Sequence, residues 1–407
     1  MTAWIDQPSH HQWLESESQR LLAFGRQFPA PGGGAYWLDD DGAPDTGRPV
    51  FAWITARMAH VHALAHLRGV PGTAPLASRA LAGLTGPLHD DVHGGWFHAV
   101  GPDGVPAAEK TAYTHAFVVL AASTGTVAGL PGARALLDEA LDVYLSHFWD
   151  EEEGLSRDEW DRAWTALDPY RGVNANMHSV EAMLAAADAT GDPSWRGRAL
   201  RIATRVVHEW ARGNEWRIPE HFDADWRPLL EYNADRPDDP FKPYGATIGH
   251  GLEWSRLVLH VHASLGDAAP DWMVPAARAL YARAVTDGWE VDGAPGFVYT
   301  TDWSGAPLVR TRMHWVPAEA IGAAAALFLA TGDASYDVDY LRWWDYVAEY
   351  VIDRERGSWH HELDPANRPT ANVWPGKADI YHAYQATLVP RSPLAPGLAL
   401  SQRTGAI

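Results

Sequence analysis

The chain has 407 residues, 46% hydrophobic and 21% charged, which is enough to bury a large core. It contains no cysteine, so a disulfide framework, a thiolate metal site and a cysteine nucleophile are excluded. A formal charge of -20 without a basic stripe argues against nucleic acid as a partner; with no basic-then-apolar start over residues 1–12 and no apolar run of 18 residues, a cytoplasmic chain clear of membranes is expected.

Apolar residues at helical spacing recur from about residues 10, 50, 75, 112, 132, 176, 194, 246, 271, 315, 334 and 377, which predicts twelve helices. Joints with Gly beside Pro or Asp separate them every 60 to 75 residues, at Gly69-Val-Pro-Gly72, Gly129-Leu-Pro-Gly132, Gly191-Asp-Pro193, Gly266-Asp267 and Gly332-Asp333. In such a joint Gly ends one helix in the left-handed conformation, Asp caps the next, and Pro193 suits a first turn. Between joints lie tight turns with aromatic lead-ins: Asp39-Asp-Asp-Gly-Ala-Pro44, the looser Pro102-Asp-Gly-Val-Pro106, Asp223-Ala-Asp-Trp-Arg-Pro228, Asp302-Trp-Ser-Gly-Ala-Pro307 and Asp364-Pro-Ala-Asn-Arg-Pro369. Each reads as a small hairpin.

Residues 194–212 carry one apolar stripe of Leu200, Ala203, Val206, Val207 and Trp210 among arginines, the mark of an outer helix. The segments from Ala112, Asn176 and Val316 are apolar or small on nearly every side and must be covered on both faces. Six such inner and outer pairs, with hairpins at one end, fit an all-α (α/α)6 barrel in which residues 1–407 form one catalytic domain. A linear solenoid would need polar capping repeats, and neither terminal unit differs visibly from the others.

In such a ring the starts of the inner helices converge on one funnel. The polar residues there are Arg57, Tyr113, His115, Asn174, Asn176, His178, His250, Glu253, Glu319, Asp379 and His382, and the aromatic walls are Trp315 and Trp374. His60, His62, His66, His147 and His208 read as core histidines, because a lone imidazole on an apolar helix is usually a satisfied interior group. His178, His250 and His382 differ: three repeats place an imidazole at an equivalent point facing one cavity.

Metal binding finds no His-Glu-x-x-His stretch, and His10-His11 and His360-His361 have diverging side chains, so neither metal nor cofactor is expected. No Gly-rich phosphate loop or Gly-x-Ser-x-Gly elbow occurs. Aromatic side chains suit the C–H faces of sugars, although most of the 21 Trp and 14 Tyr serve as core filling. A glycoside hydrolase would use a carboxyl pair, and Glu253, Glu319 and Asp379 offer one. Three imidazoles instead suit aldose–ketose isomerisation, which needs groups that take and return a proton near neutral pH.

Trp53-Ile-Thr-Ala-Arg-Met58, Tyr170-Arg-Gly-Val-Asn-Ala-Asn-Met-His178, Gly249-His250 with Glu253-Trp254, and Asp379-Ile-Tyr-His382 together resemble the N-acylglucosamine 2-epimerase superfamily, and within it the mannose isomerase and sulfoquinovose isomerase branch. The resemblance spans essentially the whole chain. It implies an (α/α)6 barrel that interconverts an aldose and its 2-ketose, mannose with fructose or lyxose with xylulose, without a cofactor. It further implies ring opening by His178 and handling of the C2 and C1 proton by His250 and His382, with His382 as base and His250 as acid or the reverse. Arg57, Tyr113, Asn174, Glu253 and Glu319 match hydroxyl-binding positions, with hairpin loops closing over the sugar. Pro240 and Ala378 stand where sulfonate-preferring members carry charged or polar groups, which favours an unmodified monosaccharide, while Lys242 and Lys377 keep sulfoquinovose open. A sugar 2-epimerase or a glycoside hydrolase built on the same ring is also compatible with these residues.

Overall fold

A helix that is apolar on all sides has no face to give to water, so it must be surrounded by other elements. In the computed structural model, which describes residues 2–405, thirteen helices meet that demand. They are α1 (Pro8–Gly25), α2 (Ala52–Leu67), α3 (Thr73–Leu84), α4 (Ala112–Val127), α5 (Ala133–Val143), α6 (Val173–Thr190), α7 (Ser194–Ala203), α8 (Ile248–Leu265), α9 (Met273–Gly288), α10 (Trp315–Thr331), α11 (Ala334–Tyr346), α12 (Tyr381–Leu388) and α13 (Leu398–Thr404). The even-numbered helices form an inner ring in which each packs on the next and α12 returns to α2. That closure is the (α/α)6 barrel expected from the repeats and disposes of the open solenoid. Outside it, α3, α5, α7, α9, α11 and α1 cover α2, α4, α6, α8, α10 and α12 in turn.

The two classes differ in what they bury. Along α10, Val316, Ala318, Ala320, Ile321 and Ala323 through Leu327 are all buried, whichever way they point. On α5 only one face is covered, by Leu136, Leu137, Ala140 and Leu141, while Arg134 and Asp138 pair in solvent. The joints work as the sequence suggests. Gly191 and Gly332 end α6 and α10 at φ 76° and 67°, where a Cβ would be strained. Asp192 and Asp333 then accept the amides of Ser194 and Ser335 at 2.9 and 3.1 Å.

Three features depart from the expected pattern. The outer segment over residues 194–212 does not stay α-helical: beyond Ala203 it widens into a π-helix over Thr204–Ala211, as the chain also does at Tyr144–Phe148 and Val347–Val351. The last inner helix begins at Tyr381 rather than near 377, because the Asp379 carboxylate accepts the Tyr381 amide at 2.8 Å and sets the first turn there. The thirteenth helix, α13, packs on α2, α4 and α6.

The turns prove to be one device used six times. Asp39, Asp223, Asp302 and Asp364 each accept, on Oδ1, the backbone amides two and four residues on. Asp161 does so four and five residues on, in a loop one residue longer, and Asp103 keeps a single such bond, from the Val105 amide. A left-handed residue follows in every copy, at Gly42, Gly104, Trp164, Trp226, Gly305 and Asn367. The strands flanking these turns pair beyond the local hairpin. Val50–Phe51, Glu109–Thr111, Arg171–Gly172, Ala246–Thr247 and Arg312–Met313 each lead into an inner helix and pair with a strand from the following repeat. The inner-helix starts are thereby tied to one another around one end of the ring.

Burial also fixes how the ring responds to acid. Desolvation lowers His62 and His115 to about 3 and His60 to about 4, so all three are neutral in the fold. The unfolded chain, titrating near the ordinary 6.5, takes up protons that the folded chain refuses, so their stabilisation is present above pH 6.5 and is lost as pH falls below it. The melting temperature should therefore hold steady from pH 8 to about 7 and fall progressively between about 6.5 and 5. A melting temperature unchanged down to pH 5 would contradict this account.

Candidate functional site

The tied ends of the inner helices open into one hollow of about 720 Å³, its open mouth included. His178 from α6, His250 from α8 and His382 from α12 all line it. Arg57, Tyr113, Asn174, Glu253 and Asp379 reach the same space, and Trp315 and Trp374 form part of its wall. Helical rotation decides who enters. Asn174 and His178, four residues apart, share a face of α6, whereas Asn176, two residues along, turns about 200° away. It spends its amide on Ser156 and Gly172 instead. His115 turns from Tyr113 in the same manner: its Nδ1 donates to the Thr111 carbonyl at 2.8 Å, and its Nε2 accepts the Trp96 amide at 3.2 Å. The expectation that these two residues belong to the funnel is thus corrected.

Glu319 also stands elsewhere than expected. It lies behind His382, where its Oε1 is 3.0 Å from the imidazole Nδ1 and its Oε2 accepts from Nε of Arg256 at 2.9 Å, with Nη2 of the same guanidinium also 2.9 Å away. Glu220 serves His250 alike, with Oε1 2.8 Å from Nδ1. A ring whose Nδ1–H is held by a carboxylate keeps Nε2 for the hollow. Between the two imidazoles stands the Trp315 indole, 5.3 Å from His250 and 5.9 Å from His382 by ring centroids. It fits there because residue 249 is glycine: a Cβ at that position would come within 2.1 Å of the indole.

His178 is held by packing instead. Its ring meets Tyr113 and Phe117 at centroid distances of 5.1 and 4.7 Å. Its Nδ1 lies 3.9 Å from Glu253 Oε1, and neither atom has a hydrogen-bond partner among the described residues. Arg57 donates to Asp379 at 3.2 Å and to Tyr113 at 3.0 Å, with its guanidinium against the faces of Trp53, Phe117 and Tyr381. Burial penalises that charge, but Tyr113 and Asp379 outweigh the penalty and raise its pKa.

Desolvation, with Arg57 adding to it, holds His178 and His382 well below the ordinary imidazole range, so both are neutral. Burial and the nearby Glu319 push the Glu253 carboxyl well above the usual carboxylate range. The hollow is therefore lined by deeply buried polar groups, with His178 and His382 neutral and its dipoles fixed, suited to moving protons between carbon and oxygen atoms of a small polar molecule.

Several of its members escape a reading of the sequence. Glu220 comes from the loop after an outer helix, in Ile218-Pro-Glu-His-Phe222, with no periodicity to mark it. Arg256, three residues after Glu253, looks like half of an ordinary surface pair on a helix. His314 and His361 stack at 3.8 Å in the wall, brought together by the Arg312–Met313 and Glu362–Leu363 strand pair. The two lysines that left a charged sugar open lie away from the hollow's lining. Lys377 is fully buried on Asp353 at 2.7 Å, and Lys242 sits over the Tyr170 ring at 4.0 Å in an adjoining compartment with Glu109, Asp158 and Glu159.

Residues 33–386, which include all three histidines, match the family described as N-acylglucosamine 2-epimerase (GlcNAc 2-epimerase). Over 401 residues the chain is 53% identical to a D-mannose isomerase of Thermobifida fusca, with 98% of each chain covered. It is 49% identical to a D-mannose isomerase of Pseudomonas cannabina pv. alisalensis, covering 98% of this chain and 96% of that one. Among solved structures, the crystal structure of a D-mannose isomerase matches with a TM-score of 0.88 at 28% identity, over 95% of this chain and 99% of that one. With sequence match, closed helical ring and histidine-lined hollow in agreement, the chain belongs to the N-acylglucosamine 2-epimerase family.

Proposed function

We propose that this chain is an aldose–ketose isomerase that interconverts D-mannose and D-fructose, residues 1–407 acting as one catalytic unit on a free monosaccharide without a cofactor. The observation that carries the reading is the pair His250 and His382, each backed by a carboxylate at Nδ1 and facing the hollow across Trp315. The names of the two relatives at 53% and 49% identity support the choice of mannose.

In this reading His178 assists opening of the pyranose, which exposes the C1 carbonyl and acidifies the hydrogen on C2. Neutral His382 removes that hydrogen through Nε2 while His250, entering the step with a proton on Nε2 as well as Nδ1, passes the Nε2 proton to O1, giving a cis-enediol. His382 then returns its proton to C1 and His250 takes the proton of O2, leaving the ketose and restoring both imidazoles. Positioned acid–base groups of this kind contribute about 10²–10⁴-fold each. Arg57, fixed by Asp379 and Tyr113, stabilises charge developing on the sugar oxygens more than it stabilises the substrate.

Two features weigh against a hydrolase and against a sulfonated substrate. A hydrolase needs two free carboxyls facing the bond, yet Glu319 gives both oxygens to His382 and Arg256 behind the wall, and Asp379 gives both to Arg57 and the Tyr381 amide, which leaves Glu253 without a partner for the task. A sulfonated sugar needs a free cation, yet Arg57 is the lysine or arginine lining the hollow among the described residues, and it is engaged by Asp379.

The decisive assay incubates the protein with D-mannose and excess EDTA and looks for fructose. Absence of a ketose from mannose, lyxose and sulfoquinovose alike would sink the isomerase reading. His250→Ala and His382→Ala should each lower kcat by at least about 100-fold while remaining folded, and activity within about tenfold of the parent would remove that residue from the proton path. Because His382 is held below 6.5, its neutral form survives into acid, so the acid limb of kcat/KM should lie below pH 6.5. A limb at or above that value would count against His382 as base.

A further inference from the structure

We infer that Arg256 is a positioning residue that divides two buried carboxyl groups into unlike forms, Glu319 as the anion behind His382 and Glu253 as an uncharged acid donating a hydrogen bond into the hollow. The inference rests on the isomerase reading above for its catalytic meaning, but not for its geometry. All three side chains are deeply buried, with Glu253 1%, Arg256 4% and Glu319 4% exposed. A single guanidinium cannot neutralise two carboxylates, and here it chooses one. Nε and Nη2 both reach Glu319 Oε2 at 2.9 Å, whereas the approach of Nη2 to Glu253 Oε1 is 3.6 Å, beyond hydrogen-bond range.

Glu253 is left without compensation. Its Oε1 is buried and has no hydrogen-bond partner among the described residues, and an ionised carboxylate in that condition is strongly disfavoured, which a proton relieves. The groups around it point the same way. From α10 it faces the anion of Glu319, and from α6 it faces Glu181 and the neutral ring of His178. The other nearby cation, Arg57 of α2, is engaged by Asp379 and Tyr113. The upward displacement of the Glu253 pKa by burial and by Glu319 agrees with this arrangement.

The division has a chemical use. As an anion, Glu319 holds the Nδ1–H of His382 and leaves Nε2 free as base. As a neutral acid, Glu253 offers an O–H to a sugar oxygen instead of repelling the negative charge that forms there. Two carboxylates in the same place would work against the enediol, and two neutral acids would leave His382 without its anchor.

Amide replacements separate the roles, because an amide mimics a neutral acid but not an anion. Glu319→Gln should lower kcat by about 10³–10⁴-fold, as when an amide replaces a carboxylate that orients a catalytic histidine. Glu253→Gln should lower kcat/KM by only about tenfold, and Glu253→Leu, which cannot donate, by roughly 100-fold. Arg256→Met should move the acid limb of kcat/KM to higher pH, because that cation helps to hold His382 below the ordinary imidazole range and its loss lets His382 take up a proton more easily; a purely structural role would lower kcat without moving the limb. Infrared difference spectra give a readout independent of turnover and of whether Arg256→Met folds: the carbonyl band of a protonated carboxyl at pH 8 should vanish in Glu253→Gln and persist in Glu319→Gln. A band untouched by Glu253→Gln, equal loss of activity in the two amide variants, or an unmoved acid limb in Arg256→Met would overturn the inference. A parent protein that isomerises no sugar would instead overturn the proposed function, with the infrared result still deciding the state of Glu253.

Discussion

One buried carboxylate joins the helical ring to the site at its centre. Glu319 belongs to α10, the guanidinium it accepts from belongs to α8, and the imidazole it orients belongs to α12. Three consecutive members of the inner ring therefore meet at a single buried anion. Removing one partner from such a cluster leaves an uncompensated charge at a cost of about 3–5 kcal/mol, so the same contact that orients His382 also fixes how the last three inner helices sit against one another. Site geometry and ring geometry are two aspects of one electrostatic constraint.

The hollow works because its polar side chains are deeply buried. In a low-dielectric space an imidazole prefers to be neutral and a carboxyl prefers to be protonated, and the departures from that rule are each enforced by a named partner. Arg57 stays charged because of Asp379 and Tyr113, and the neutral state of His178 and His382 follows from burial with Arg57 nearby. The charge pattern that a sugar would meet is thus set before it arrives, at no cost in reorganisation when the reaction begins.

The ring was largely legible in the sequence because its causes are local. Gly191 and Gly332 stop helices, Asp192 and Asp333 start them, and segments without a polar face can only be inner ones. The residues lining the hollow were legible where polar groups interrupt an apolar helix at spacings of three or four, as with Asn174 and His178 or His250 and Glu253. Spacing of two misled: His115 and Asn176 share their neighbours' segments but not their faces. What lay beyond reading were partners supplied by distant chain, such as Glu220 for His250, and Arg256, whose sequence context is that of a surface ion pair. The Asp161 turn hid for a smaller reason: Leu167 bridges to Trp160 where proline does so in the sister loops, so this copy lacked the closing residue that made the others recognisable.

Those Asp turns carry a consequence for how such a protein can change. Each loop turns on one carboxylate folded onto its own backbone and one left-handed residue, and is tied to the structure beneath at a few points, such as Tyr346 to Asn367 and Lys377 to the Asp40 carbonyl. Side chains at the exposed loop positions that make none of these contacts are thereby released from structural duty. The rim can be rewritten residue by residue, giving the mouth a new shape and polarity, while the helical wall and its buried charges stay as they are.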